Sequence, residues 1–152
     1  MANITGTNGN DRDATALIGT AAADTISALA GNDQVFALEG DDEVYGDEGN
    51  DYIDAGEGND YVRGGDGNDV ILGGPGHDIL LGEGGKDTIE GGEGDDIIAG
   101  FEGDDKLSGD DGDDTISGNE GRDKLDGGAG NDRIGIVQTL RDERAGVSAP
   151  TA

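Results

Sequence analysis

The sequence predicts an all-β fold, a solenoid of short parallel strands with about 18 residues in each coil. Three observations support this prediction. A nine-residue unit repeats thirteen times without a break in frame between residues 19 and 135. Every unit carries an aspartate at its sixth place and a large aliphatic residue at its eighth place. The fourth place is glycine in every unit except the first, which has Ala22.

The consensus of the unit is Gly-Gly-x-Gly-x-Asp-x-U-x, where U is a large aliphatic residue, and residues 64–72 match it fully. The first six places predict a tight turn, and the last three predict a very short strand. Strand side chains alternate between faces, so place eight is expected to face the core and places seven and nine the solvent. Place five is Asn or Asp in nine of the thirteen units, which we interpret as tolerance of positive φ. Two units complete one coil, with one strand on each side.

Three segments are expected along the chain: an irregular N-terminal cap (1–18), the thirteen repeats (19–135), and a C-terminal cap with a tail (136–152). Residues 6–11 resemble one further turn, but Asp11 precedes Asp24 by thirteen residues, which indicates a four-residue insertion around 12–15. Units one to three lack several glycines, so sites at Asp24 and Asp33 are expected to be weak or empty. Closure of the C-terminal end of the core is expected from Ile136, Val137 and Leu140, with a helical turn at 141–144.

The composition favours cations as partners. The net charge is −27, which disfavours nucleic acids and anionic membranes because both are polyanions. There are no cysteines, which excludes disulfides and thiolate metal sites. The apolar runs are too short for a membrane span, and residues 1–11 lack the basic and apolar regions of a cleavable signal peptide.

Aspartates eighteen residues apart should lie directly above each other in such a solenoid. A cation between two consecutive coils would then contact two carboxylates and several turn carbonyls, which is the oxygen environment that Ca²⁺ prefers. Eleven gaps follow from the thirteen aspartates, and eleven Ca²⁺ ions would bring the net charge from −27 to −5. The candidate ligands are Asp24, Asp42, Asp60, Asp78, Asp96, Asp114 and Asp132 on one edge, and Asp33, Asp51, Asp69, Asp87, Asp105 and Asp123 on the other.

These residues also admit other interpretations. The aspartates could be solvated turn formers, but Asn and Ser would serve a turn equally well and never occupy place six. No window has the ligand spacing of an EF-hand, Mg²⁺ needs more rigid octahedral geometry, and one histidine without cysteines does not suit zinc or copper. His77 could be a ligand or a base, but we interpret it as an exposed turn residue. Nothing accompanies it at a catalytic spacing, so we do not expect an enzyme.

Some outward-facing places are apolar and could form a docking or self-association surface. They could equally reflect the strand propensity of these residues. The residues are Tyr61, Ile79 and Ile97 on one face, Tyr52, Val70 and Leu72 on the other, and Phe36 and Tyr45 near the start. The core of thirteen aliphatic side chains is thin for a repeat region so rich in glycine and carboxylates. The chain without metal is therefore expected not to fold.

The repeat resembles the hemolysin-type calcium-binding nonapeptide of the RTX family, over residues 19–135 and loosely over 6–18. The resemblance implies a calcium-stabilised parallel β-roll in a secreted, extracellular protein, exported unfolded by type I secretion machinery and folding outside the cell. We expect a structural or adhesive module. The alternative is an accessory module of a larger secreted enzyme or toxin, used for secretion or for binding an extracellular polysaccharide. An ice-binding role is disfavoured because place two lacks a threonine ladder.

Overall fold

The computed structural model describes residues 1–11 and 16–135, which form short β-strands connected by turns. Within these ranges no helix has the length and apolar character needed to cross a membrane. In chain order, the strands are β1 (Asn3–Thr5), β2 (Leu17–Ile18), β3 (Thr25–Ser27), β4 (Gln34–Phe36), β5 (Glu43–Glu48), β6 (Tyr52–Asp54), β7 (Tyr61–Asp66), β8 (Val70–Pro75), β9 (Ile79–Gly84), β10 (Thr88–Glu93), β11 (Ile97–Glu102), β12 (Lys106–Asp111), β13 (Thr115–Glu120), β14 (Lys124–Asp126) and β15 (Arg133–Gly135).

The strands form two parallel sheets that face each other across the core. One sheet contains the odd-numbered strands in the order β1-β3-β5-β7-β9-β11-β13-β15, and the other contains the even-numbered strands from β14 to β2. Val62 pairs with Leu80 and Leu80 with Ile98, so neighbouring strands of a sheet are offset by one coil of eighteen residues. The predicted all-β parallel solenoid is confirmed.

The N-terminal segment contributes a strand to each sheet. β1 pairs with β3 through Asn3 and Thr25, and β2 pairs with β4 through Leu17 and Val35. The first pairing spans 22 residues and the second spans 18. The predicted insertion at 12–15 and the predicted C-terminal cap and tail at 136–152 lie outside the described residues.

The core is a double stack of place-eight side chains. Eleven of the thirteen are buried, with at most 1% of their surface exposed: Ile26, Val35, Val44, Ile53, Val62, Ile71, Leu80, Ile89, Ile98, Leu107 and Ile116. The expectation that all thirteen face a closed core is wrong at the C-terminal end, where Leu125 is only partly buried and Ile134 is 49% exposed. Among the described residues, no later coil covers these two side chains.

Most strands in the middle of the rod are longer than the sequence predicted. Strands β5 and β7 to β13 each span six residues, because the parallel pairing resumes at places two and three after skipping place one. The alternation of faces continues along these strands, so place one is a second inward position. The side chains of Ala28, Ala37 and Ala55, which occupy place one, are fully buried. Place one must therefore be small.

The interpretation of place five as a positive-φ position is wrong. The non-glycine residues with positive φ that the structure describes instead occupy place two, with φ between 66° and 83°: Leu29, Leu38, Asp47, Glu83, Phe101, Asp110 and Asn119. Place five forms a hydrogen-bonded ladder between coils. The backbone N–H of Asn68 donates to Oδ1 of Asn50 over 2.7 Å. Asn and Asp fit this place because their side-chain oxygens accept that bond.

His77 is an exposed rung of this ladder, in agreement with its interpretation as a turn residue. Its backbone N–H donates to Oδ1 of Asn59 over 3.0 Å, and its ring Nδ1 accepts from the N–H of Asp95 over 2.8 Å.

Truncation of the core should be costly only where a coil covers it. We expect Ile89→Ala to lower the free energy of unfolding by about 2–5 kcal/mol, because it leaves a cavity between the two sheets. Ile134→Ala, at a half-exposed position, should cost clearly less. Urea denaturation at one fixed calcium concentration measures both, and equal losses would contradict the assignment of the core.

Candidate metal centres

The place-six aspartates form two buried rows, one along each turn edge. Eleven of the thirteen candidate ligands have 0–3% of their surface exposed. Asp123 and Asp132, in the last two units, are half-buried. Carboxylates are rarely buried this completely unless they are paired or bind a metal.

One carboxylate oxygen of each aspartate connects neighbouring coils. The N–H of Asp60 donates to Oδ1 of Asp78 over 2.8 Å, and the N–H of Asp78 donates to Oδ1 of Asp96 over 2.8 Å. Hydrogen bonds of this kind extend from Asp24 to Asp132 on one edge and from Asp11 to Asp123 on the other. The aspartates therefore stack as the eighteen-residue spacing predicted.

The other carboxylate oxygen, Oδ2, has no hydrogen-bond donor in nine of these aspartates. It is buried and lacks a partner in Asp42, Asp60, Asp69, Asp78, Asp87, Asp96, Asp105, Asp114 and Asp123. An ionised oxygen buried without a partner is strongly unfavourable. Each such oxygen therefore needs either a proton or a cation.

Backbone carbonyl groups converge on the same places. A Cβ atom built on Gly64 would lie 2.4 Å from Oδ2 of Asp69 and 2.9 Å from the carbonyl oxygen of Gly82, in the next coil. The same arrangement occurs at Gly91, where the two distances are 2.4 Å to Asp96 and 2.7 Å to the Gly109 oxygen. Carboxylate and carbonyl oxygens from neighbouring coils thus face one small space, as a hard cation requires.

Three units carry alanine at place one instead of glycine. Ala28, Ala37 and Ala55 direct a buried methyl group to the position that the Asp carboxylate approaches in glycine units. Their own place-six residues are Asp33, Asp42 and Asp60. The space beside these carboxylates is therefore smaller than it is beside Asp69 or Asp96.

Burial makes the metal-free carboxylates hard to ionise. Loss of solvent, and to a lesser degree repulsion from neighbouring carboxylates, raises the pKa of Asp69 and Asp78 to about 7 and that of Asp60, Asp87 and Asp96 to about 6. The hydrogen bond from the preceding coil opposes this rise. A cation at Oδ2 would act in the same direction as that bond.

The donor set is suited to calcium rather than to softer metals. Among the described residues, no three His, Cys, Asp or Glu side chains gather around one point. Each space instead combines carboxylates with main-chain carbonyls, a mixture that Ca²⁺ accepts readily and zinc does not.

The sequence did not identify two parts of the site. Asp11 joins the row because its N–H donates to Oδ1 of Asp33 over 2.5 Å, and its side chain is only 5% exposed. The glycine spacing of 6–11 was its signal, which the broken frame obscured. Turn carbonyls were expected as ligands, but the sequence did not show that place one supplies them, since main-chain oxygens have no sequence identity.

The raised pKa values predict how acidity affects the chain without metal. Unfolded aspartates have a pKa of about 3.9, so protonation favours the fold, and this contribution is lost as the pH rises through about 6 to 7. We expect more β-structure at pH 5.5 than at pH 8 in calcium-stripped protein, measured by far-UV circular dichroism. With calcium present the dependence should reverse, because protons compete with the metal. Less structure at pH 5.5 without calcium would contradict the assignment.

A methyl group at place one should damage a centre. In Gly100→Ala the new Cβ would lie 2.1 Å from Oδ2 and 3.1 Å from Cβ of Asp105, so the carboxylate must move. Gly84→Ala is the matched control, since its nearest neighbour would lie 3.4 Å away and its φ needs no glycine. Calcium titration monitored by circular dichroism should show a higher folding midpoint for Gly100→Ala than for Gly84→Ala. Equal midpoints would mean that place one does not border the centre.

The comparisons with known proteins agree with this geometry. A search of curated proteins found no match. The family model of the RTX calcium-binding nonapeptide repeat matches the chain in five overlapping segments: 18–53, 45–80, 72–100, 81–116 and 99–134. These matches extend over most of the chain. Repeats of this kind bind Ca²⁺ between their turns, where the aspartates of this roll are stacked. The chain belongs to the RTX family of calcium-binding nonapeptide repeats.

Proposed function

We propose that this chain is a secreted structural module that folds when calcium binds between its coils. The observation that carries the proposal is the row of buried Oδ2 atoms without protein partners. The ligands would be the place-six aspartates of the coils beyond the first, together with turn carbonyls in the gaps between those coils.

Calcium would supply what the apolar core lacks. The net charge is −27, and the aspartate rows place several of these charges inside the rod. A cation that contacts aspartates of two consecutive coils removes this repulsion and also joins the coils. In a solenoid each coil contacts only its neighbours, so stability depends on such nearest-neighbour links.

Secretion fits this dependence on calcium. Proteins with RTX repeats are typically secreted. We infer that the chain stays unfolded where calcium is scarce, as export by type I secretion machinery would require, and folds in the extracellular medium. The binding free energy of the ions would then be the folding free energy.

An adhesive role is supported by the outer face of the odd-numbered sheet. Ile79 is 37% exposed, Ile97 is 50% exposed and Phe101 is 42% exposed. Ile79 and Ile97 are directly paired in β9 and β11, so they form a continuous apolar stripe. Such a stripe would suit self-association or contact with an extracellular polymer.

The number of gaps that an aspartate borders should decide the effect of removing it. Asp78 lies between Asp60 and Asp96, so Asp78→Ala should weaken two centres in the middle of the rod. Asp132 borders one described gap, the gap to Asp114, and Asp132→Ala should weaken one. We expect a larger rise in the midpoint calcium concentration for folding in Asp78→Ala, measured by circular dichroism.

The wild-type chain provides the reference in the same titration. It should lack β-structure in chelator and gain it in millimolar calcium. Folded protein in chelator at neutral pH, or equal midpoints for the two variants, would contradict the proposal that the place-six carboxylates are shared ligands.

A further inference from the structure

The two turns of the first coil differ from those in the body of the rod. Their aspartates, Asp11 and Asp24, are buried like the others, with 5% and 2% of their surface exposed. Their Oδ2 atoms nevertheless accept hydrogen bonds from the protein itself. In both turns the donor is a threonine at place two, Thr7 or Thr20.

The carboxylate of Asp24 is fully engaged. Its Oδ2 accepts from the backbone N–H of Thr20 over 2.7 Å and from the Thr20 hydroxyl over 2.7 Å. Its Oδ1 accepts from the N–H of Ala2 over 2.5 Å. The α-amino group of Met1 lies 3.8 Å from the same oxygen.

Asp11 has the same pairing with its own threonine. The N–H of Thr7 donates to Oδ2 of Asp11 over 2.7 Å, and the Thr7 hydroxyl lies 3.1 Å from Oδ1. Each turn thus has a donor pair where the body of the rod has an open oxygen.

The backbone of these turns also departs from that of the body. Place-two residues such as Leu29 and Glu83 adopt positive φ, at 76° in both cases, whereas Thr7 and Thr20 do not. The neighbours of the place-one glycine show where the Asp24 carboxylate lies. A Cβ on Gly19 would have its three nearest neighbours in Ala37, whereas one on Gly100 would have them all in Asp105. The Asp24 carboxylate is turned away from place one toward Thr20.

The pKa of Asp24 also differs from that of the aspartates in the body of the rod. Burial acts to raise the pKa of Asp24, but hydrogen bonds from Thr20 and Ala2 and the nearby amino terminus outweigh it, and the pKa falls below its ordinary value. Burial raises the pKa of Asp78 to about 7. The protein thus stabilises the ionised form of Asp24 without a metal.

We propose that the first coil is a calcium-independent cap, in which the donors of Thr7 and Thr20 occupy the place that a cation takes in later coils. This inference rests on the proposed function for the coils beyond it. It assigns Asp24 and Asp11 to the closure of the N-terminal end. An end coil has no earlier coil with which to share an ion, so a self-satisfied turn is the arrangement expected there.

The test is the number of calcium ions released on unfolding, obtained from the dependence of the unfolding free energy on the logarithm of calcium concentration. The full chain is unfolded in urea at several calcium concentrations. Thr20→Val should lower the urea midpoint by a similar amount at each concentration and leave the number of ions unchanged. Thr20→Ser keeps the hydroxyl and should stay close to the wild type.

Asp24→Ala should also leave the number of ions unchanged, whereas Asp132→Ala, at the other end of the same row, should release one ion fewer. Adding Thr20→Val to Asp24→Ala should have little further effect, because the two residues act as one pair. Release of fewer ions by Asp24→Ala, or a Thr20→Val variant as stable as the wild type, would overturn the cap.

Asp96→Ala separates this inference from the proposed function. It should release fewer ions than the wild type, since Asp96 lies in the body of the rod. An unchanged number for Asp96→Ala would overturn the proposed ligand set, and with it the contrast that defines the cap. If both Asp96→Ala and Asp24→Ala released fewer ions than the wild type on unfolding, only the inference of a calcium-independent cap would be overturned.

Discussion

Burial of a carboxylate with one oxygen left open is the interaction on which the rest of this roll depends. Asp69 and Asp78 are nearly inaccessible to solvent, yet each has an Oδ2 atom without a protein donor. Such a group either takes up a proton or binds a cation. Repeats of the family to which the chain belongs bind a cation, Ca²⁺.

The glycines at places one and four both serve the stacking of the buried aspartates. Place one must be small because its inner side borders the carboxylate, as the 2.1 Å approach at Gly100 shows. Beyond the first unit, place four is glycine for a different reason. At Gly49 the φ angle is 137°, and a Cβ would lie 1.4 Å from the Gly31 carbonyl oxygen of the preceding coil. The glycine at place four therefore permits the close stacking of turns that brings the aspartates into rows.

The sequence was sufficient to predict the features that repeat with the frame. The constant eighteen-residue offset predicted the two parallel sheets, and the invariant place-six aspartate predicted the rows. Features that depend on contacts between coils were not predictable in the same way. The place-five ladder needs an acceptor on the neighbouring coil, so Asn50 was interpreted from its local turn propensity instead. The exposure of Ile134 reflects its position in β15, beside which the described residues place no later strand, and its place in the unit does not reveal this. The environment of Asp24 depends on Thr20 and Ala2, which lie outside the consensus.

The alternation of units between two sheets has a consequence for how such a rod changes length during evolution. Every unit presents the same inward pair, a small residue at place one and an aliphatic at place eight, so the core accepts the gain or loss of a single nine-residue unit. The surface does not. Tyr61, Ile79 and Ile97 share one sheet because they are eighteen residues apart. Deletion of one unit between them would transfer the later residues to the opposite face. Lineages that retain an outer binding face should therefore gain and lose whole coils, whereas lineages that need only a rod are free to vary by single units.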